Sequence, residues 1–389
     1  MLVVLAPDFY TGIRQVSLAP EEINSAILYG AFELFVLSLF VVVFERLKGR
    51  RRLKSIGTRN LQLKGNKIIY IIYMCFSLIL YLLVGRYYNV IHFLSISSEM
   101  LEDTANIYIV LVRYVVAIGL TIFTLYCFSV NKLKYERSGH KYRVYISIIV
   151  AMLYCSFIVG ESRGTQLAVG VLICLILISD YPNFKGRIIF GVTIILVLVI
   201  SSITLYRTGV VSLVSEHTFA SYADKLQIYY GGPESIAQSI KILTVEKLNI
   251  LNLVFDFFRS TFPFNLLLKN LGDTTSQIYN MHLYEGLFNH GQIVFSSSYG
   301  YIYAGLLGVP IILCLNVFLV FIANTYFHYA NSYEMKYLSG YCMIRLISAT
   351  LVNTPTILGS VTQYIFTFGL LYYVSKSIKS RPLKSVRRY

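Results

Sequence analysis

The sequence is divided into blocks of mostly apolar residues, each close to the length that crosses a lipid bilayer. They run at about 23–44, 67–85, 107–130, 143–159, 165–179, 187–205, 299–323, 337–350 and 357–375. A hydrocarbon core of roughly 30 Å takes about 20 residues of helix. Inside it, each peptide group must find its hydrogen bond within the segment, so such blocks are helices. The pattern therefore predicts an all-α, polytopic integral membrane protein. It is a single membrane domain over residues 1–389 with about nine transmembrane helices. The chain is 56% hydrophobic and 14% charged, where a soluble domain carries about a quarter charged residues. The fifth and eighth blocks are short, which fits helices that are tilted, extend into their flanks, or line a cavity.

The charges set an orientation. Residues 46–67 hold Arg46, Lys48, Arg50, Arg51, Arg52, Lys54, Arg59, Lys64 and Lys67 with no acid, the strongest cytoplasmic signal in the chain. Alternation then places 131–142, 180–187 and the basic C-terminal tail in the cytoplasm. It places 86–106, with Glu99, Glu102 and Asp103, outside. The net charge of +15 is thus explained by topology, and no nucleic-acid motif accompanies it. Six cysteines fall in six different blocks without metal or CxxC spacing and read as apolar helix residues. Trp is absent, so the 33 tyrosines must supply the interfacial belt.

One connection stands apart. Residues 206–298 form a large extracytoplasmic loop, a length that usually carries function. Within it, 234–255 has helical spacing that brings Ile236, Ile240, Leu243, Leu251 and Val254 together. Two readings stay open: a helix packed on the membrane domain, or an interfacial helix on the outer leaflet. Gly231-Gly232-Pro233 breaks the chain before it and Phe262-Pro263-Phe264 turns it afterwards.

Five arginines occupy the outer side, against the positive-inside bias. Arg113 lies two turns into the third block, Arg163 in the turn Gly160–Gly164, and Arg207 directly after the sixth block. Arg259 lies in the long loop and Arg345 in the outward half of the eighth block. Each alone is satisfied by snorkelling or by pairing with Glu161, Glu216 or Asp256. As a group they form a candidate pyrophosphate site, since guanidinium offers paired donors and keeps its charge. The segment 282–310 gathers polar residues and glycines. His290, beside Gly291, is the candidate catalytic base. No P-loop, HExxH, GxSxG or acidic metal motif is present, and no metal or cofactor is expected.

Three stretches, GESRGTQL (160–167), YRTG (206–209) and SSSYGYIYAGLLGV (296–309), together with the large outer loop, carry a family likeness. The chain resembles the Wzy-type oligosaccharide repeat-unit polymerases of O-antigen and capsule synthesis. That resemblance implies a GT-C-like membrane glycosyltransferase in the bacterial inner membrane, multi-pass, with the large loop outside and the C-terminus in the cytoplasm. It implies undecaprenyl-pyrophosphate-linked oligosaccharides as donor and acceptor, with membrane lipid around them. A chain-length regulator and a flippase are implied as partners. Family members often carry an acid near the segment where Gly300 and Tyr301 stand here, and begin with a further hydrophobic helix. Two expectations account for an outside N-terminus: the N-terminus is translocated, or that helix is missing upstream, from an open reading frame that lacks it or starts downstream of the true start. The same arginines suit an O-antigen ligase or another lipid-linked glycan transferase. A polysaccharide transporter or flippase would instead show paired broken helices and two similar halves.

Overall fold

The computed structural model describes residues 20–49, 61–84, 107–156, 163–210, 232–246, 248–268, 271–283, 294–350 and 354–379. Among these residues the chain is helical, with no strand beyond one isolated bridge between Gln62 and Ser332. Among the described residues five helices are long and apolar enough to cross a membrane, at Glu21–Arg46, Tyr114–Ser138, Pro182–Ser201, Ser296–Tyr329 and Thr354–Ile378. The protein is thus an all-α membrane protein. The other four expected blocks also fall on helices, each shorter than 20 residues.

The described residues belong to two compact units. One takes in 56–213, 323–344 and 365–389. Its helices are α2 (Lys67–Val84), α3 (Ile107–Ser138), α4 (Tyr142–Ser156), α5 (Arg163–Asp180) and α6 (Lys185–Val210). Helix α2 packs on α3, α3 on α4, and α4 on both α5 and α6. Exposed Ile68, Ile72, Leu82, Leu83, Phe190 and Val197 cover the outside, as expected where lipid is the solvent. Inside, polar groups meet one another. Thr121 and Tyr337 both hydrogen-bond the Tyr154 hydroxyl at 2.7 Å. Buried Glu334 accepts from the amides of Lys64 and Gly65, each at 2.9 Å, and from Tyr70 at 3.1 Å. In the 180–187 connection, Asp180 accepts from Tyr333 at 2.7 Å. Burial pushes its carboxyl up to about 6, while the Tyr333 hydrogen bond and the charges of Lys132 and Lys336 pull the other way.

The second unit takes in 1–55, 214–322 and 345–364, so the long loop belongs to its core. Its helices are α1 (Pro20–Gly49), α7 (Gly232–Val245), α8 (Ile250–Ser260), α9 (Phe264–Leu268), α10 (Thr275–Leu283) and most of α11 (Ser296–Tyr329). The last residues of α12 (Tyr333–Ile347) and the first half of α13 (Thr354–Lys379) complete it. Helix α7 packs along α1, with Lys241 3.7 Å from Glu22 and Ile236 and Ala237 against Ala26. One turn further along α1, a Cβ on Gly30 would lie 3.9 Å from Ile236. The two helices therefore run antiparallel, and for α7 the packed reading of the loop segment is the one realised.

Two sequence expectations are corrected here. The stretch 234–255 is two helices. Asn249 starts the second one: its side chain accepts from the amides of Leu251 and Asn252, and Asn252 returns the bond to the Asn249 amide. Helix α7 ends at Val245, and the capping box, with extended φ/ψ at Asn249, starts a new helix. Ile236 and Leu251 thus sit on different helices. The block 299–323 is also broken. Ala304 and Gly305 leave helical geometry, and Gly305 has φ 58° and ψ −145°, a conformation that only glycine adopts easily. The arm 296–303 folds back on the helix that follows. A Cβ on Gly300 would lie 2.0 Å from the Gly308 carbonyl oxygen, and the reverse holds too, so both glycines are needed for backbone contact.

Candidate functional site

The interior of the second unit contains an ion pair. Asp256 is 2% exposed and Arg259 6%. They lie three residues apart on α8, the spacing that puts two side chains on one helical face. Arg259 Nε donates to Asp256 Oδ1 at 2.7 Å and Nη2 reaches it at 2.5 Å. The remaining donors go to main-chain oxygens of Leu271 at 2.9 Å, Gly272 at 3.0 Å and Asp273 at 2.6 Å. Asp256 Oδ2 accepts from Thr275 at 2.6 Å and from the Tyr299 hydroxyl, and Thr275 in turn meets Tyr303. Three elements, α8, α10 and the first arm of α11, thus meet on the carboxylate, and the 271–273 turn holds its guanidinium partner.

A second polar group joins the same arm. Ser235 of α7 lies 2.7 Å from Ser298 and accepts from Tyr279 at 3.1 Å. Buried Gln238 leaves its Oε1 without a hydrogen-bond partner, as does Glu33 in α1. Glu33 is the one charged residue between Ile23 and Phe44. A lone charge inside a span is as readable in the sequence as the arginines, yet it stands outside the arginine pattern.

Arg345 lies on α12 and is 5% exposed; its Nη2 donates to Ser360 at 3.1 Å. The neighbouring residues of α13 meet the end of α8. A Cβ on Gly359 would lie 2.9 Å from the Ser260 carbonyl oxygen, and Thr362 accepts from the Phe262 amide at 2.9 Å. One turn of α13 therefore receives both Arg345 and the residues that directly follow Arg259.

Of the five expected arginines, Arg259 and Arg345 lie in this unit. Arg113, Arg163 and Arg207 belong to the other, on the backbones of α3, α5 and α6. Their side chains lie outside the described residues, as do His290, Glu285, Glu161 and Glu216. Arg259 takes the pairing alternative: its partner is Asp256, and its donors all meet protein acceptors. The tyrosines of the YGYIY segment gain a role that the sequence alone did not suggest, since Tyr299 and Tyr303 serve the Asp256 network. Among the described residues no group of three or more His, Cys, Asp or Glu side chains could hold a metal ion.

The fold defines the class: an all-helical integral membrane protein whose second unit buries an ion pair among hydroxyl groups. No protein family, curated protein or solved structure matches the chain.

Proposed function

We propose that this chain is a membrane glycosyltransferase that polymerises lipid-pyrophosphate-linked oligosaccharide repeat units at the outer face of the bacterial cytoplasmic membrane. In this reading it has nine spans, with 46–67, 131–142 and the C-terminus in the cytoplasm and 206–298 on the outer side. The growing glycan passes from its undecaprenyl pyrophosphate to a hydroxyl of the acceptor unit. The carrier pyrophosphate leaves with the charge that outer arginines stabilise, and His290 or a loop acid takes the hydroxyl proton.

The observation that carries the reading is the buried polar network that the long loop builds in the second unit. A loop that served only as a connection would have no reason to bury Asp256 and Arg259 among tyrosine and threonine hydroxyls, because burying such groups is costly. Cells without the gene should carry single repeat units on their final acceptor, and purified protein with lipid-linked repeat units should make a ladder. Long chains left on the carrier lipid would instead indicate a ligase. The break in α11 favours a transporter as the second reading, since broken helices line many transport sites. Repeat units stranded on the cytoplasmic face of the deletion strain would establish it.

Orientation is tested with single cysteines in a background lacking the six native ones. An impermeant reagent should label Asp273→Cys in intact cells and leave Ser55→Cys unlabelled. Ser239 is fully buried and unsuitable for this test.

A further inference from the structure

Helix α8 is polar inside and apolar outside. Asp256 and Arg259 face the interior of the unit, while Ile250, Leu251, Val254, Phe255 and Phe258 are exposed on one continuous face, from 41% at Phe255 to 78% at Leu251. The apolar face continues past the turn: Leu267 of α9 is 79% exposed. In water this arrangement is inverted, because it exposes large side chains and buries a charge pair that water would solvate. It is the expected arrangement when the outer solvent is hydrocarbon.

Depth gives the second, independent argument. The turn after α8 is fastened to α13, whose residues Thr354–Ile378 are long and apolar enough to cross a membrane. Phe262 donates to Thr362, which is eight residues into α13, roughly 12 Å along its axis. Ser260 meets α13 at Gly359, one turn closer to its start. Whichever end of α13 faces outward, this contact lies within the length of the span.

We propose that the α8–α9 segment is immersed in the bilayer and that its apolar face binds lipid acyl chains. The segment is then a lipid-facing wall of the unit, with the Asp256–Arg259 pair immediately behind it. This proposal needs only the membrane class of the fold, and it stands or falls separately from the polymerase reading.

The chain contains no Trp, so each introduced indole is the sole tryptophan signal. Full-length Leu251→Trp and Leu267→Trp variants are reconstituted in phosphatidylcholine–phosphatidylglycerol vesicles, with or without bromine on the acyl chains. Phe255→Trp, an aromatic exchange on the same face, serves where the leucine variants assemble poorly. Asp273→Trp, at an exposed polar position, is the water-facing reference. The expected result is blue-shifted emission from the α8 and α9 indoles, quenched several-fold more by bromolipid than by aqueous iodide, with the opposite order at residue 273. Strong iodide quenching at 251, 255 and 267 would overturn the proposal. Quenching by neither agent would overturn it too, since it means that a second copy or another protein covers the face. An identical response at 251 and 273 would also defeat it.

Discussion

Both units bury a carboxylate, and the partners differ in kind: Glu334 takes all its hydrogen bonds on Oε1 and leaves buried Oε2 without a partner, while both Asp256 oxygens are met. In the unit built on α2–α6, Glu334 is held by two main-chain amides and a tyrosine. In the unit built on α1 and the long loop, Asp256 is held by a guanidinium, a threonine and a tyrosine. The first arrangement fixes backbone: it pins residues 64 and 65 to α12, some 270 positions away in sequence. The second consists of side chains drawn from α8, α10 and α11. A carboxylate bound by amides acts as a clamp. One bound by side chains has the composition of a chemical site, and charge inside a membrane protein usually marks one.

The largest effect should come from breaking the Asp256 pair. Asp256→Ala leaves Arg259 buried without its partner and should lower stability by about 3 to 5 kcal/mol, read by thermal unfolding in detergent. The double variant Asp256→Leu/Arg259→Met should regain much of that loss, because an apolar pair of similar volume replaces a buried ion pair at little net cost. Glycan synthesis should remain absent in the double variant. Full activity there would reduce the pair to a packing device and erase the contrast with Glu334.

Next in size, Arg163→Ala and Arg207→Ala should each slow polymerisation by roughly 30- to 1,000-fold, about 2 to 4 kcal/mol in the barrier. Lysine should rescue poorly, since it lacks the paired donors. Both residues belong to the α2–α6 unit, so this result sharpens the comparison: it would mean that chemistry is not confined to the unit with the ion pair. Normal ladders from both variants would remove these arginines from the site.

Glu334→Ala should cost about 1 to 3 kcal/mol, the penalty for leaving buried donors unmet. It should lower the amount of folded protein and leave the glycan length distribution unchanged. A shortened ladder at equal protein level would show that the clamp has a chemical part after all. The smallest effect is expected at Asn249→Ala, about 1 kcal/mol from the lost cap of α8. If Asn249→Ala is instead as severe as Asp256→Ala, the helix start and the ion pair are one cooperative element.

How much of this was legible beforehand differs by residue. Apolar block length located α1, α3, α6 and α13 because span length is a property of one segment. Gly231-Gly232-Pro233 announced the start of α7 because glycine and proline act on their own backbone. Arg259 was found as an arginine out of place, but its partner was open, since an (i, i+3) acid is only one of several ways to satisfy it. Glu33 is equally visible in the first block, as a lone acid inside a span.

The sequence by itself determined that the chain is helical and belongs in a membrane, since both follow from hydrophobicity along single segments. The division of 234–255 into α7 and α8 was written in Asn249, but its effect depended on α7 lying against α1 and α8 turning to meet α13. The reversal at Ala304–Gly305 needed Gly300 and Gly308 to touch across it, a contact between arms that no periodicity expresses. Only the tertiary structure decided which face of α8 looks inward. Helical spacing separates a polar face from an apolar one, but the solvent on each side is set by contacts such as that between Phe262 and Thr362, a hundred residues apart.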